Sequence, residues 1–129
     1  MSRIVVSNSH KEAAISFLQL ASSGKVKEAY RRYVAASFRH HNPYFSGNAE
    51  ALMAAMEENA AQFPAKAIEV KHTLEEGELV AVHACVKLKP DDLGIATLHL
   101  FRFEGDRIVE LWDVGQAVLE DSPNQNGMF

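Results

Sequence analysis

The sequence lacks most of the signatures that name a common enzyme class. Its 129 residues hold one cysteine, Cys85, so there is no disulfide within the chain and no Cys-x-x-Cys redox pair. Cys85 falls in an apolar run, where it reads as a small buried hydrophobe. There is no Gly-x-Gly-x-x-Gly, no phosphate loop and no Gly-x-Ser-x-Gly elbow, which removes the usual nucleotide-binding and α/β-hydrolase readings. No stretch approaches the roughly 20 apolar residues of a membrane span. Met1–Ser9 lacks the apolar core of a secretory signal, and with so little cysteine the expectation is a cytoplasmic protein. Basic residues (13) are outnumbered by acidic ones (17), for a net charge of −4. That balance disfavours a nucleic-acid or anionic-membrane partner.

What is present is hydrophobic residue in quantity, 47% of the chain. At this length the sequence reads as a single domain over 1–129, able to bury roughly two thirds of its unfolded surface. Ser9-His-Lys-Glu12 has capping-box spacing, and Ala13, Ala14, Phe17, Leu18 and Ala21 follow as one apolar helical stripe. Ser22-Ser-Gly24 stops that helix. Val26, Ala29, Tyr30, Tyr33 and Val34 repeat the helical spacing in a second. Pro43 then biases Asn42 away from helix, so Ser37–Pro43 reads as a short extended segment ending in a turn. Asn48 is placed to cap a third helix over Ala49–Phe63, with Leu52, Met53, Met56, Ala60 and Phe63 on one stripe and Pro64 after it.

Beyond Pro64 the period changes from helix to strand. Ile68–Leu74 alternates, Leu79–Lys89 is almost continuously apolar, and Ala96–Val114 folds back on itself about Glu104-Gly-Asp106. Residues 119–129 read as a polar, irregular tail whose final Met128-Phe129 is apolar enough to dock on the body. Helices first and four antiparallel strands after is an α+β order. In the strands both faces are apolar: Val80, Val82, Ala84, Val86 and Leu88 on one side of the third segment, Leu79, Ala81, His83 and Cys85 on the other. In the hairpin, Thr97, His99, Phe101, Phe103, Val109, Leu111 and Asp113 share one side, with Leu98, Leu100, Ile108 and Trp112 on the other. Three helices cover one face, so a homodimer through the sheet is expected to cover the second.

The residues suited to chemistry are His99, Asp113 and His83 on the strands, with His41 approaching from the rim near Pro43. Gathered in an apolar cup, they would form the acid–base pairing of an enzyme that moves protons. Alternatives stand beside this. Any one of these histidines could be a hydrogen-bonded structural residue, and His with Asp could hold zinc or iron, although no His-x-His or His-Glu-x-x-His spacing supports a metal site. His10 and His72 read as surface residues, and Glu110 as a rim or interface charge.

The combination of Phe38-Arg-His-His-Asn-Pro43, Leu98-His-Leu-Phe-Arg-Phe-Glu-Gly-Asp-Arg-Ile-Val-Glu-Leu-Trp-Asp113 and Asn124-Gln-Asn-Gly-Met-Phe129 resembles the SnoaL-like, polyketide cyclase-like branch of the NTF2-like superfamily. The resemblance runs along nearly the whole chain. It implies an NTF2-like cone-shaped α+β barrel with N-terminal helices on a curved antiparallel sheet, a pocket inside the cone, and usually a homodimer. It implies cofactor-independent acid–base chemistry, such as aldol-type cyclisation or isomerisation, on a small hydrophobic carbonyl compound. The alternative is non-catalytic binding of a small hydrophobic ligand. In the cyclases an acidic residue on the strand before the hairpin turn moves the proton; here that position is His99, and Leu111 stands where close relatives often carry His. Phe101, Phe103, Met56, Phe63, Leu111 and Tyr44 are the expected wall of the pocket.

Overall fold

The computed structural model describes residues 9–129; Met1–Asn8, on which the reading of the N-terminus rests, lie outside the described residues. Three helices lead: α1 (His10–Ser22), α2 (Val26–Tyr33) and, after strand β1 (Val34–His40), α3 (Ala49–Gln62). Then come β2 (Ala67–Glu76), β3 (Leu79–Lys87), β4 (Ile95–Glu104) and β5 (Arg107–Ala117). The capping box forms as read: Ser9 Oγ accepts from the Glu12 N–H and the Glu12 carboxylate accepts from the Ser9 N–H. The Asn48 side chain caps α3 through the Ala51 N–H at 2.8 Å.

The sheet has five strands, one more than the sequence suggested, in the order β1-β5-β4-β3-β2. The segment before Pro43 is a full strand and pairs parallel to β5; the remaining pairings are antiparallel. The sheet curves without closing, so the expected cone is an open one. Its concave face receives the helices. Phe17 from α1 meets Phe101 edge-on, with ring centroids 5.9 Å apart, and Tyr30 from α2 bridges Phe17 and Phe38. Phe101, Phe103, Ile108 and Leu111 are fully buried there beside Val80 and Val82. At about 1.5–3 kcal/mol for each large side chain, this layer supplies much of the driving force for folding.

Two bulges change which residues face inward. On β2 the pairing passes from Val70–Ala84 to His72–His83, leaving Lys71 as the extra residue. Ile68 and Val70 therefore point to the helices, whereas His72 and Leu74 point out. On β5 it passes from Arg102–Glu110 to Phe103–Ile108, leaving Val109 extra. Ile108 thus turns inward, correcting the alternation read from sequence, and Leu111 and Asp113 keep their inward place. A bulge opposes two residues to one, and strict period two cannot show it. At the β3–β4 connection Gly94 has φ +106, and a Cβ there would sit 2.8 Å from Cys85 Sγ, so both backbone conformation and space require glycine.

The convex face carries Leu98 (43% exposed), Leu74 (70%) and Val114 (66%). The tail is irregular, as expected, and Phe129 returns to this face, 5.9 Å from the His83 ring and under the Lys71 ammonium.

Candidate functional site

A cavity of about 540 Å³ opens between the concave face, α1 and α3. Its wall is mostly aliphatic, from Leu18, Leu52, Ile68, Val86, Leu88 and Ile95, with Met56 from α3 and Tyr44 at the mouth. Seven polar residues join them: His99, Asp113, Asn42, Asn59, Lys66, Ser22 and Thr97. A mostly apolar hollow of this size with a few convergent polar groups is the usual form of a small-molecule site.

His99 and Asp113 are directly opposite one another on β4 and β5, which brings their Cβ atoms to about 4.5–5.5 Å. Both point inward for a simple reason: each is an even number of residues from the buried Phe101 or Leu111 on its strand. Burial pushes the His99 imidazole below its ordinary value of 6.5, and the Lys66 charge acts in the same direction, while Asp113 opposes them. The ring is therefore neutral at physiological pH. Its Nδ1 is sealed from solvent with no hydrogen-bond partner among the described residues. Nothing in the described chain bonds Nε2 either, which leaves that nitrogen for a bound molecule. The Asp113 carboxylate accepts from Asn42 Nδ2 at 3.3 Å, and Asn42 Oδ1 in turn accepts from the Tyr44 N–H at 3.0 Å. The Asn-Pro turn thus fixes an amide beside the carboxylate. Tyr30, behind Met56, has its hydroxyl pKa raised by burial and then by Asp113, so it stays protonated; its hydroxyl meets Met56 Sδ at 3.4 Å.

The other two proposed catalytic histidines lie elsewhere. His83 pairs with Leu98, whereas His99 pairs with Val82, so His83 and His99 project from opposite faces of the sheet. On the convex side His83 stacks on His72, with Nδ1 atoms 3.0 Å apart. His41 also faces outward, stacking on Trp112 at 4.9 Å and meeting Glu110 Oε2 at 2.6 Å. The shared cup of three histidines is thereby corrected: period two separates faces within a strand, but the register between strands decides which faces coincide. One histidine and one carboxylate remain for the cavity, and the donor set imagined for a metal divides between the two faces. His40, beside His41 in the sequence, is buried and structural: its Nδ1 accepts from the Asn42 N–H and its Nε2 therefore donates to the Ser46 carbonyl at 2.6 Å. His10, read as a surface residue, stacks on Phe103 at 4.2 Å and reaches the Gly105 carbonyl.

Of the expected wall, Met56 and Tyr44 line the cavity. Phe101, Phe103 and Leu111 are sealed in the core behind it, and the half-buried Phe63 ends α3 outside the lining. Asn42, Asn59 and Lys66 were missed. The proline after Asn42 signalled a fixed turn; nothing local signalled that Asn59 and Lys66 would face inward.

The motif residues on the convex side make a charge cluster around Glu110. Arg39 and Arg102 donate to it at 3.0 Å each, with His41 as the third partner. The hydrogen bond from His41 leads, with those from Arg39 and Arg102 behind it; burial works against them, and the carboxyl is held down at about 2. Glu110 is covered by the side chains that bind it rather than by depth, so these pairs work close to water and their strength is discounted accordingly. The shift makes a stabilising contribution that is complete above about pH 4.5 and lost as the pH falls toward 2. Glu110→Gln is expected to lower unfolding stability at pH 7 by about 1–2 kcal/mol, with the difference from wild type shrinking in acid. Urea titrations at pH 7 and pH 3 check this; an equal difference at both would reject it.

A helix-covered, open five-stranded sheet with a cavity on its concave face defines the NTF2-like class. Within it the chain belongs to the SnoaL-like polyketide cyclase family, whose model matches residues 11–118. No curated protein matches the sequence. Among solved structures, an NTF2-like protein of unknown function from Cytophaga hutchinsonii is 18% identical, with TM-score 0.69 over 88% of this chain and 95% of its own. IdmH, a proposed polyketide cyclase from Streptomyces antibioticus, is 19% identical, with TM-score 0.69 over 84% of this chain and 93% of its own. AclR, a proposed hydroxylase from Streptomyces galilaeus, is 17% identical, with TM-score 0.69 over 83% and 88%. At these identities the likeness is one of fold.

Proposed function

We propose that the cavity carries out cofactor-independent acid–base chemistry on a small, largely apolar carbonyl compound, of the aldol-cyclisation or isomerisation type. The observation that carries this reading is the placement of His99 directly across from Asp113 inside an apolar cavity. Neutral His99 takes a proton from carbon next to the carbonyl through Nε2. The imidazolium that forms is stabilised by the Asp113 charge on the neighbouring strand, and water is excluded by the aliphatic wall. Negative charge on the carbonyl oxygen needs a donor. With His83 and His41 on the far face, that donor comes from the lining, the Asn42 amide or the Tyr44 hydroxyl. The family description supports cyclase-type chemistry.

The test is exchange of α-protons for deuterium in a panel of β-keto and polyketide-like ketones, followed by NMR. Catalysed exchange supports the enzyme; saturable binding with no exchange above background for any ketone identifies the alternative, a binding protein on the same fold.

A second copy of the chain is the proposed partner for the convex face, whose centre is apolar and whose exposed leucines and valine lie on four-strand-wide ground with Trp112 beside them. Light scattering at micromolar concentration is expected to give twice the 14.3 kDa chain mass, and Leu98→Glu to halve it. A wild-type monomer at that concentration would end the proposal.

A further inference from the structure

We infer that the ligand of this cavity carries a carboxylate as well as its carbonyl, and that Lys66 holds that carboxylate at the end of the cavity away from Asp113. The carbonyl half of this inference rests on the acid–base reading above; the carboxylate half does not.

Lys66 stands just before β2, where the turn after Pro64 carries the chain from α3 into the sheet and the Lys66 N–H donates to the Phe63 carbonyl at 3.0 Å. Most lysines reach for water. This one is half-buried and lines the cavity among Leu18, Ile68, Val86, Leu88 and Ile95. Its ammonium donates to Asn59 Oδ1 at 2.6 Å. An ammonium has three N–H donors, and no carboxylate of the described residues lies within ion-pair distance of this one. Burial lowers its pKa, a sign that the charge is already short of water. A partly desolvated cation with one neutral partner is expensive unless something else satisfies it, and what lies in front of it is the cavity.

The charge layout fits one ligand orientation. The cavity's carboxylate, Asp113, is on β5 and held by Asn42; Lys66 enters β2, with β4 and β3 between them. His99, on β4, lies between the two charges. Three strand spacings are about 14 Å on a flat sheet, and Lys66 is also offset along the strands, since Ala67 pairs with Lys87 whereas His99 pairs with Val82; the curvature still brings the Lys66 charge near enough to act on the His99 ring. An anion docks on the Lys66 side and is repelled from Asp113, which leaves the carbonyl several carbons away, at His99. The class is therefore an apolar oxo acid with its two functional groups separated by a short chain.

The experiment is calorimetric titration with 6-oxo-6-phenylhexanoate and with its methyl ester. Wild type is expected to bind the carboxylate about tenfold or more tightly than the ester, the scale of a hydrogen bond to a charged group. Lys66→Met and Lys66→Gln should each bring the two affinities to parity, and Lys66→Arg should keep the preference. Lys66→Met should melt no lower than wild type, because it removes a poorly solvated charge. A preference that survives in Lys66→Met or Lys66→Gln overturns the proposal, as does a wild type that binds the carboxylate no better than the ester or fails to bind it at millimolar concentration. His99→Gln should retain the carboxylate preference. The acid–base reading therefore fails separately, as an intact preference without α-proton exchange.

Discussion

His99→Gln is expected to lower kcat/KM for α-proton exchange by about 10²–10⁴-fold, the usual contribution of a positioned general base. Ligand affinity should change far less. Asp113→Asn should produce a loss of the same order, because the imidazolium formed on His99 then has no negative charge beside it. The double variant should fall little below either single one, since the two residues work as one unit. Measured against pH, wild-type kcat/KM should rise with an acid limb below 6.5 and then stay level through neutrality, because burial drives His99 below that value and leaves it deprotonated. In His99→Gln that limb should vanish. Full activity in His99→Gln would move the chemistry to another group. An unchanged acid limb would do the same.

This pair also bears on how the site relates to the family. The resemblance implied an acidic residue where His99 stands. The structure sets Asp113 directly opposite, on the strand that follows the turn. A carboxylate is therefore present in the same layer of the cavity, offered from β5 instead of β4. The two residues together supply a base that is neutral when empty and a charge that stabilises it once protonated.

Much of this was legible in the amino-acid order. Capping residues, apolar stripes and the Gly105 turn are local signals, and α1, α3 and the β4–β5 hairpin lie where those signals put them. His99 and Asp113 were each legible as inward residues from the alternation along their own strands, but that they stand directly opposite one another depends on the bulge at Val109, which the turn alone does not set. His83 was misplaced because its relation to His99 depends on the β3–β4 pairing across the loop through Pro90 and Gly94, which no local pattern sets. Ile108 lay beyond a bulge that reverses the alternation. Lys66 and Asn59 were invisible for a related reason: a polar residue at a helix end or before a strand reads as solvated, and only the packing of α3 over the sheet turns both inward.

Phe101→Ala is expected to cost about 3–5 kcal/mol of unfolding stability, the range for removing a large aromatic from a packed core. From sequence, Phe101 belonged to the pocket wall, because it shares its face with His99. In the structure it is fully buried, its ring edge-on to Phe17 and outside the cavity lining. The shared face is real, but it is divided along its length. Near the hairpin turn, α1 lies close and closes over Phe101 and Phe103; farther along, α1 and α3 stand off the sheet and leave the cavity over Thr97 and His99. Truncating Phe101 opens a hole in the closed part, where nothing refills it. The effect should therefore appear as a large shift of the urea midpoint with little change in affinity for a cavity ligand. Met56→Ala, at the lining, should show the reverse balance: a smaller loss of stability and a clear change in affinity. Titrating both variants with 6-oxo-6-phenylhexanoate and unfolding both in urea separates the two roles. An affinity loss in Phe101→Ala at unchanged midpoint would return Phe101 to the wall and shift the boundary of the site toward the turn.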